Sequence, residues 1–379
     1  MKDKKKRRFD KRFLIGLVLI SAGVVLLLHN FGYGIKVDIK EEEPIPYKEE
    51  EVVFTNTNND ITLAGTLTLP EKSGRHPAVV MLTGSGPVNR DEEAFGMKPF
   101  RIIADHFTRK GIAVLRYDSR GVGGSTGEVY QSTIFDFAED TLAAIGYLKT
   151  RTDINPAQIG LCGHSQGGAV APLAASQSKD VAFIICISGF GHIGEEIFIA
   201  QNEFIGRADG AAEKEIKEYS KTYKLLFNLI RKGASEAKIK SELMTLNRKK
   251  IESKSEEEKR TLKSKVNCMV NLFNSRWFKF FLDYDPKLAL EKVKCPVLLI
   301  FGELDLQVPA EINKKSMVEA LKRGGNNDYT VKIFPKANHL FQSAKTGSPS
   351  EYPNLAKEFV PGFLDFMSDW ILQQVDIVK

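Results

Sequence analysis

Sequence patterns that bind metals are missing from this chain of 379 residues. Its six histidines show no metal-ligand spacing, and three of its four cysteines lie in or beside predicted core strands. We therefore expect no metal centre and no cofactor. The expected state of Cys162, Cys186, Cys268 and Cys295 is the free thiol, with an oxidised pair as the alternative.

A phosphate-binding loop is missing as well, although residues 118–125 are rich in glycine. These glycines are not followed by Gly-Lys-Ser/Thr. No Gly-x-Gly-x-x-Gly opens a helix with an acidic residue beyond the next strand. Nucleotide binding is therefore not predicted. We expect Asp118 and Arg120 to brace the loops around a pocket, with direct substrate contact as the alternative.

Net charge is small outside the first residues. The chain has 54 Lys and Arg against 48 Asp and Glu. Residues 1–12 hold eight of the basic and two of the acidic residues, so the rest of the chain has 46 of each. Residues 13–379 therefore carry no excess of positive charge that would attract the phosphate backbone of a nucleic acid. The sequence predicts no nucleic-acid partner.

Residues 13–35 form a run of 23 residues without Asp, Glu, Lys or Arg. A helix of this length measures about 35 Å, and the hydrocarbon core of a bilayer is about 30 Å thick. The pattern predicts a transmembrane anchor, a cytoplasmic basic tail over residues 1–12 and an acidic spacer over residues 36–50. The remainder of the chain is then expected outside the cytoplasm at the cell membrane. A cleaved signal peptide, which would give a secreted protein, is the alternative.

A candidate nucleophile lies at the end of an apolar strand. Residues 159–168 read IGLCGHSQGG, which is Gly-x-Ser-x-Gly around Ser165, followed by the small-residue start of a helix. A sharp turn from strand to helix exposes a serine hydroxyl and strains its backbone, and Gly163 and Gly167 leave room for that turn. The alternative is a tight structural turn that contains a serine.

The partners of such a serine are expected in the chain order Ser, acid, His. Residues 295–305 form a hydrophobic strand that ends in Gly-x-x-Asp at Asp305, and His339 follows another strand after a short loop. The imidazole takes the serine proton, and the carboxylate fixes the tautomer of that imidazole. Both residues lie past the carboxyl ends of strands, where an open α/β sheet collects its active site. Glu303 is the competing carboxylate, but it lies nearer the strand.

The chain resembles the α/β-hydrolase superfamily, in particular its esterase branch related to dienelactone hydrolases. The resemblance covers residues 50–379 and rests on five motifs: GHSQGG (163–168), LTGSGP (82–87), YDSRG (117–121), GELD (302–305) and NH (338–339). It implies a doubly wound, mostly parallel sheet and catalysis by a serine triad.

Acyl transfer also needs backbone N–H groups that stabilise the oxyanion. One donor is expected at Gln166, directly after the nucleophile. The other is expected in the loop after the third strand, at Ser85 first and Gly84 second. Family members commonly carry His-Gly in this loop, whereas Thr83 stands at the histidine position here.

Strands and helices alternate from residue 78 onward, which predicts the doubly wound sheet independently. The alternation stops over residues 194–285, which are helical and rich in Lys and Glu. We expect these residues to form a cap above the catalytic edge of a core made of residues 51–193 and 286–379. Aromatic residues of a cap usually pack inside it. Trp277, Phe278 and Phe281 are the candidates for the alternative role, the wall of a substrate pocket.

The expected function is hydrolysis of a small-molecule carboxylic ester through an acyl-enzyme. A peptidase or an acyltransferase with the same triad is an alternative within this chemistry, because a triad does not choose its acceptor. A catalytically silent binding protein that uses the cap as a docking surface is the alternative of a different class.

Overall fold

The structure is a computed structural model that describes residues 45–252 and 255–377. Its strands are β1 (Tyr47–Asn56), β2 (Ile61–Pro70), β3 (His76–Leu82), β4 (Ala113–Tyr117), β5 (Ile154–His164), β6 (Ile184–Ile187), β7 (Val297–Gly302) and β8 (Tyr329–Phe334). Its α-helices are α1 (Pro99–Arg109), α2 (Ile134–Lys149), α3 (Gly167–Gln177), α4 (Gly194–Ala208), α5 (Glu213–Arg231), α6 (Glu236–Glu252), α7 (Glu256–Asn274), α8 (Arg276–Asp283), α9 (Lys287–Leu290), α10 (Ala310–Arg323) and α11 (Phe363–Ile377).

The eight strands form one sheet in the order β1-β2-β4-β3-β5-β6-β7-β8. β1 pairs antiparallel with β2, and β2 pairs antiparallel with β4. All pairs from β4 to β8 are parallel. The predicted doubly wound, mostly parallel sheet is thus confirmed. The parallel strands are apolar on both faces, because helices cover both sides of such a sheet.

Two buried layers cover the sheet, one on each face. One layer contains apolar residues of α1 and α11, among them Phe107 and Ile371. The other contains residues of α2, α3 and α10 together with the inner residues of the helical insertion. The carboxyl ends of the parallel strands are left as the edge at which loops from several strands meet.

The helices α4 to α8 lie between β6 and β7 in the chain, and we call residues 194–285 the cap. An aromatic cluster forms its interior: Phe198, Phe227, Phe273 and Phe278 lie with ring centroids 4.5–6.1 Å apart. α8 reaches the core, where Phe281 meets Phe190 just past β6 at 5.9 Å.

The predicted fold class is corrected in one respect, the N-terminal transmembrane helix. Among the residues that the structure describes, no helix has both the length and the apolar character needed to cross a bilayer. The basic tail (1–12) and the anchor (13–35) were predicted on residues that lie outside the described ones. The fold class that the described residues show is an α/β sheet with a helical insertion and no membrane-spanning helix.

The end of the predicted spacer is corrected as well. β1 begins at Tyr47, inside the spacer predicted over residues 36–50. The Tyr47 side chain is buried and its hydroxyl donates to Asp105 on α1. Glu50 accepts a hydrogen bond from Arg151. These contacts attach residues 47–50 to the domain, although the predicted spacer is acidic.

Candidate active site

Ser165 occupies the sharp turn between β5 and α3. Its φ is +54°, in the left-handed region that a residue with a side chain rarely adopts. The turn is held because the Ser165 N–H donates to the Ile187 carbonyl at 2.8 Å. A Cβ at Gly163 would lie 2.0 Å from the Gly167 carbonyl oxygen, and a Cβ at Gly167 would lie 2.1 Å from that of Leu82. The two glycines therefore permit the close packing that this turn requires.

Asp305 and His339 are in direct contact at the same edge of the sheet. Asp305 follows β7 and His339 follows β8, and the imidazole Nδ1 lies 2.8 Å from Asp305 Oδ2. Both side chains are buried. An ionised carboxylate only accepts hydrogen bonds, so Nδ1 carries the proton and Nε2 is left as the basic nitrogen.

The Asp305 carboxylate is surrounded by donors. The Ser188 hydroxyl donates to Oδ2 at 2.7 Å, and the backbone N–H groups of Gln307 and Val308 each donate to Oδ1 at 2.9 Å. Burial is the largest single effect on the pKa of Asp305 and raises it. The charge and hydrogen bond of His339, with the other donors, outweigh burial and lower that pKa below its usual range. The carboxylate is therefore ionised at neutral pH.

The Nε2 atom of His339 is buried and has no hydrogen-bond partner among the described residues. The ring of His164, the residue directly before Ser165, lies 4.6 Å from the His339 ring. A buried basic nitrogen without a donor is able to accept a proton from a hydroxyl brought to it.

The competing carboxylate, Glu303, is placed elsewhere. Its side chain is exposed, and Oε2 accepts the Lys336 N–H at 2.8 Å. In the structure Asp305, and not Glu303, makes the contact with the imidazole.

The loop after β3 carries the predicted oxyanion donors Gly84 and Ser85. The Gly84 N–H donates to Glu92 Oε1 at 2.7 Å, so this amide is already engaged by a carboxylate. Ser85 is buried in the same loop. Gln166 precedes the first residue of α3, and its side-chain oxygen accepts a hydrogen bond from Trp277 Nε1 at 2.6 Å.

The three predicted pocket residues of the cap have different surroundings. Trp277 stacks on Phe281 with ring centroids 5.4 Å apart and planes within 6°. Both rings lie on the side of α8 that faces the core, because Trp277 bonds Gln166 and Phe281 contacts Phe190. Phe278 is fully buried in the aromatic cluster of the cap.

A small cavity lies beside the loop that follows β3. Its volume is about 30 Å³, and its walls include Gly84, Gly86 and Gln166. Arg120 and Asp140, which form a bidentate ion pair, also line it. A volume of this size holds about one or two water molecules.

Asp118 and Arg120 are each engaged in an ion pair. Asp118 binds Arg90 through both carboxylate oxygens, and Arg120 binds Asp140 in the same way. The four cysteines are free in the described structure. Burial raises the pKa values of Cys162 and Cys186 far above the usual range, so neither thiol is reactive.

Sequence reasoning missed three residues that contact the site: Glu92, His164 and Ser188. Glu92 contacts the Gly84 amide and His164, while Ser188 contacts Asp305. His164 and Ser188 each lie at the carboxyl end of a predicted strand, and that position was the available signal. Glu92 stands in a charged loop, where nothing in the local sequence distinguishes it from its neighbours.

A family model described as Hydrolase_4, serine aminopeptidase S33, matches residues 97–343, more than half of the chain. Esterase EstD of Thermotoga maritima is 26% identical over 311 residues, which cover 82% of this chain and 64% of EstD. Thiohydrolase aneE of Aspergillus aculeatus is 34% identical over 149 residues, which cover 39% of this chain and 43% of aneE. The chain thus spans less than two thirds of the length of these relatives.

Among solved structures, an esterase of Pyrococcus furiosus has a TM-score of 0.53 and 16% identity. The match covers 89% of this chain and 95% of the esterase chain. At this identity the likeness concerns the fold alone, and it confirms the predicted α/β-hydrolase fold.

Proposed function

We propose that this chain, which belongs to the serine aminopeptidase S33 family (Hydrolase_4) of α/β-hydrolases, cleaves carboxylic esters through an acyl-enzyme on Ser165. One observation carries the proposal. The buried His339 binds Asp305 through Nδ1 and keeps a partnerless Nε2 at the edge of the sheet where the strained Ser165 turn lies.

Acylation follows from the roles of these groups. Ser165 Oγ attacks the carbonyl carbon of the ester while His339 Nε2 accepts the hydroxyl proton. The carbonyl oxygen becomes an oxyanion, to which the N–H groups of Ser85 and Gln166 donate. The C–O bond to the leaving group then breaks, and the alcohol departs with the proton from Nε2. The product is an ester of Ser165.

Deacylation repeats the sequence with water. His339 Nε2 accepts a proton from the water as its oxygen attacks the acyl carbon, and it returns that proton to Ser165 Oγ when the acid leaves. Asp305 remains ionised throughout, holds the Nδ1 tautomer and stabilises the imidazolium. Ser85 is the proposed loop donor, and the neighbouring Gly84 amide donates to Glu92.

The proposed substrate is a small-molecule ester with a short acyl group. Ser165 and His339 are buried and the cavity beside Gln166 is small, which leaves little room for a long acyl chain. The stacked pair Trp277–Phe281 is the proposed wall on the cap side, where Trp277 bonds Gln166. Phe278 supports this wall from behind, within the cap cluster.

Thioester hydrolysis or acyl transfer is the second candidate. The relative aneE is named as a thiohydrolase, and its match gives the higher identity of the two relatives described above, over a shorter segment. Cleavage of a peptide bond, as in the serine aminopeptidase description, uses the same acyl-enzyme. Products formed by added alcohols or amines in excess of free acid would identify transfer.

The test is a series of p-nitrophenyl esters of increasing acyl length, with Ser165→Ala as the control. The expected result is a maximum at short acyl chains and loss of turnover in Ser165→Ala to the level of background hydrolysis. Turnover that survives in Ser165→Ala would overturn the proposal. Failure of Ser165 to react with a fluorophosphonate would instead favour a catalytically silent binding protein.

A further inference from the structure

Glu92 and His164 form a buried ionisable pair next to the proposed catalytic residues. Glu92 Oε1 lies 2.9 Å from His164 Nδ1, although the two residues are 72 positions apart. The side chains are 3% and 8% exposed. Buried ionisable groups are costly unless they are paired, so such a pair needs a structural or functional reason.

The pair connects two loops of the site. Glu92 Oε1 also accepts the Gly84 N–H at 2.7 Å, which places this carboxylate against the oxyanion loop after β3. The other ring nitrogen of His164, Nε2, lies 2.9 Å from the backbone carbonyl oxygen of His339. Four groups therefore form one hydrogen-bonded path from Gly84 through Glu92 and His164 to His339.

The donors along this path can be assigned. A carbonyl oxygen only accepts, so His164 Nε2 carries a proton and donates it to His339. Burial is the largest effect on the pKa of His164 and lowers it, but the charge and hydrogen bond of Glu92 outweigh burial and raise that pKa. An imidazolium that donates from both nitrogens satisfies Glu92 and the His339 carbonyl together.

The backbone conformation at Glu92 directs its carboxylate toward Gly84 and His164. Glu92 has φ +52°, in the left-handed region. A turn formed by Asn89 holds that conformation: the Asn89 carbonyl accepts the Glu92 N–H at 2.9 Å, and its side chain accepts the N–H groups of Asp91 and Glu93. A strained residue held by several contacts is typical of functional sites.

We propose that Glu92 and His164 are positioning residues, which act as one charged pair. They hold two loops at fixed positions relative to Ser165: the oxyanion loop after β3, which carries Gly84 and Ser85, and the loop after β8, which carries His339. By engaging the Gly84 N–H, Glu92 fixes the Thr83–Gly84 peptide plane, one residue before the Ser85 N–H. By donating to the His339 carbonyl, His164 fixes the backbone that carries the general base. The inference rests on the proposed function, because both loops matter only if Ser165 is acylated.

The test compares kcat and KM for p-nitrophenyl acetate in Glu92→Gln and His164→Gln, normalised to the folded fraction measured by circular dichroism. In Glu92→Gln the amide oxygen still accepts the Gly84 N–H, but the negative charge that stabilises the His164 imidazolium is lost. We expect kcat to fall about tenfold or more in each variant, since misplacing one oxyanion donor is costly, while KM changes less than about twofold. The double variant is expected to lose no more than either single variant, because the two residues act as a unit.

Two matched controls separate this effect from loss of any acidic or histidine side chain. Glu93→Gln changes the neighbouring carboxylate, which is exposed and lies 3.9 Å from Lys98. His106→Gln changes a half-buried histidine on α1 that bonds Ser368. Both controls are expected to keep wild-type kcat.

The outcomes separate the two proposals. Turnover that survives in Ser165→Ala overturns the proposed function. If Ser165→Ala is inactive while Glu92→Gln and His164→Gln keep the wild-type kcat per folded molecule, only the positioning role is overturned. A rise in KM at unchanged kcat, or additive losses in the double variant, also overturns it. If Glu92→Gln does not fold, the kcat and KM of His164→Gln alone decide whether the positioning role stands.

Discussion

The indole Nε1–H of Trp277 donates to the side-chain oxygen of Gln166 over 2.6 Å, and the two residues are 111 positions apart. Trp277 belongs to the cap helix α8, whereas Gln166 directly follows the proposed nucleophile. Both residues are buried. The cap is therefore bonded to the residue whose N–H is the proposed oxyanion donor.

Loss of this bond is expected to slow turnover without unfolding the protein. Trp277→Phe keeps an aromatic ring against Phe281 but removes the indole donor. One hydrogen bond contributes about 1 kcal/mol, so we expect kcat to fall about fivefold. The control is Trp370→Phe on α11, where the indole donates to Thr330 at 3.3 Å. Equal kcat in the two variants would contradict the role given to the cap contact.

The glycine before His164 sets the packing of the Ser165 turn. In Gly163→Ala the new Cβ would lie 2.0 Å from the Gly167 carbonyl oxygen, so the turn has to move or the chain is destabilised. We expect a loss of about 3 kcal/mol in the free energy of unfolding, measured with urea, together with loss of esterase activity. Gly146→Ala in α2, where the Cβ meets nothing within 4 Å, is expected to stabilise the protein by up to about 1 kcal/mol. Equal effects would refute the packing argument.

Ser188→Ala tests the donors around Asp305. Ser188 is fully buried at the end of β6, and its hydroxyl donates to Asp305 Oδ2. Without this donor the Asp305–His339 pair takes up a proton more readily, so the acid limb of the pH profile of kcat/KM is expected to move to higher pH. Activity at neutral pH falls about three- to tenfold. Ser176→Ala on α3, which loses only a bond to the Leu173 carbonyl, is the control. A limb that moves to lower pH would exclude this role of Ser188.

The Glu92–His164 pair predicts a pH dependence of stability. The pKa of His164 is raised in the folded protein above its unfolded value of about 6.5. Its stabilising contribution is therefore complete below about pH 6.5 and is lost as the pH rises through the folded pKa. Breaking a buried pair costs about 3–5 kcal/mol, so His164→Gln should show its largest loss near pH 6 and a smaller loss at higher pH.

The measurement is urea unfolding of wild type and His164→Gln across about pH 6 to 9. The charges that face His164 are those of Glu92, which raises its pKa most, and of Asp305 across the His339 ring. A loss of stability that is independent of pH, or that grows as the pH rises, would show that His164 is neutral when folded.

Local patterns were sufficient to predict the sheet and the contact between Asp305 and His339. The residues around Ser165 are contiguous in sequence, and Asp305 and His339 each follow an apolar strand. The fold brings such strand ends together at one edge. The roles of Ser165 and the oxyanion donors stay predictions for the experiments above.

Contacts that depend on tertiary structure were beyond the sequence. Glu92 reaches His164 only because a left-handed turn at Asn89 directs it inward, and the acidic neighbours Asp91 and Glu93 give the same local signal. The bond from Trp277 to Gln166 depends on how the cap docks. The transmembrane helix was inferred from composition alone, and the described residues contain no helix of that kind.

The most direct test of the account is to trap the acyl-enzyme. Wild-type protein is mixed with p-nitrophenyl acetate, quenched in acid within the first turnovers and analysed by peptide mass spectrometry. We expect one acetyl group on the peptide that contains Ser165, none in Ser165→Ala, and much slower formation in His339→Gln. An unmodified Ser165 in wild-type protein that still turns over the ester would contradict it.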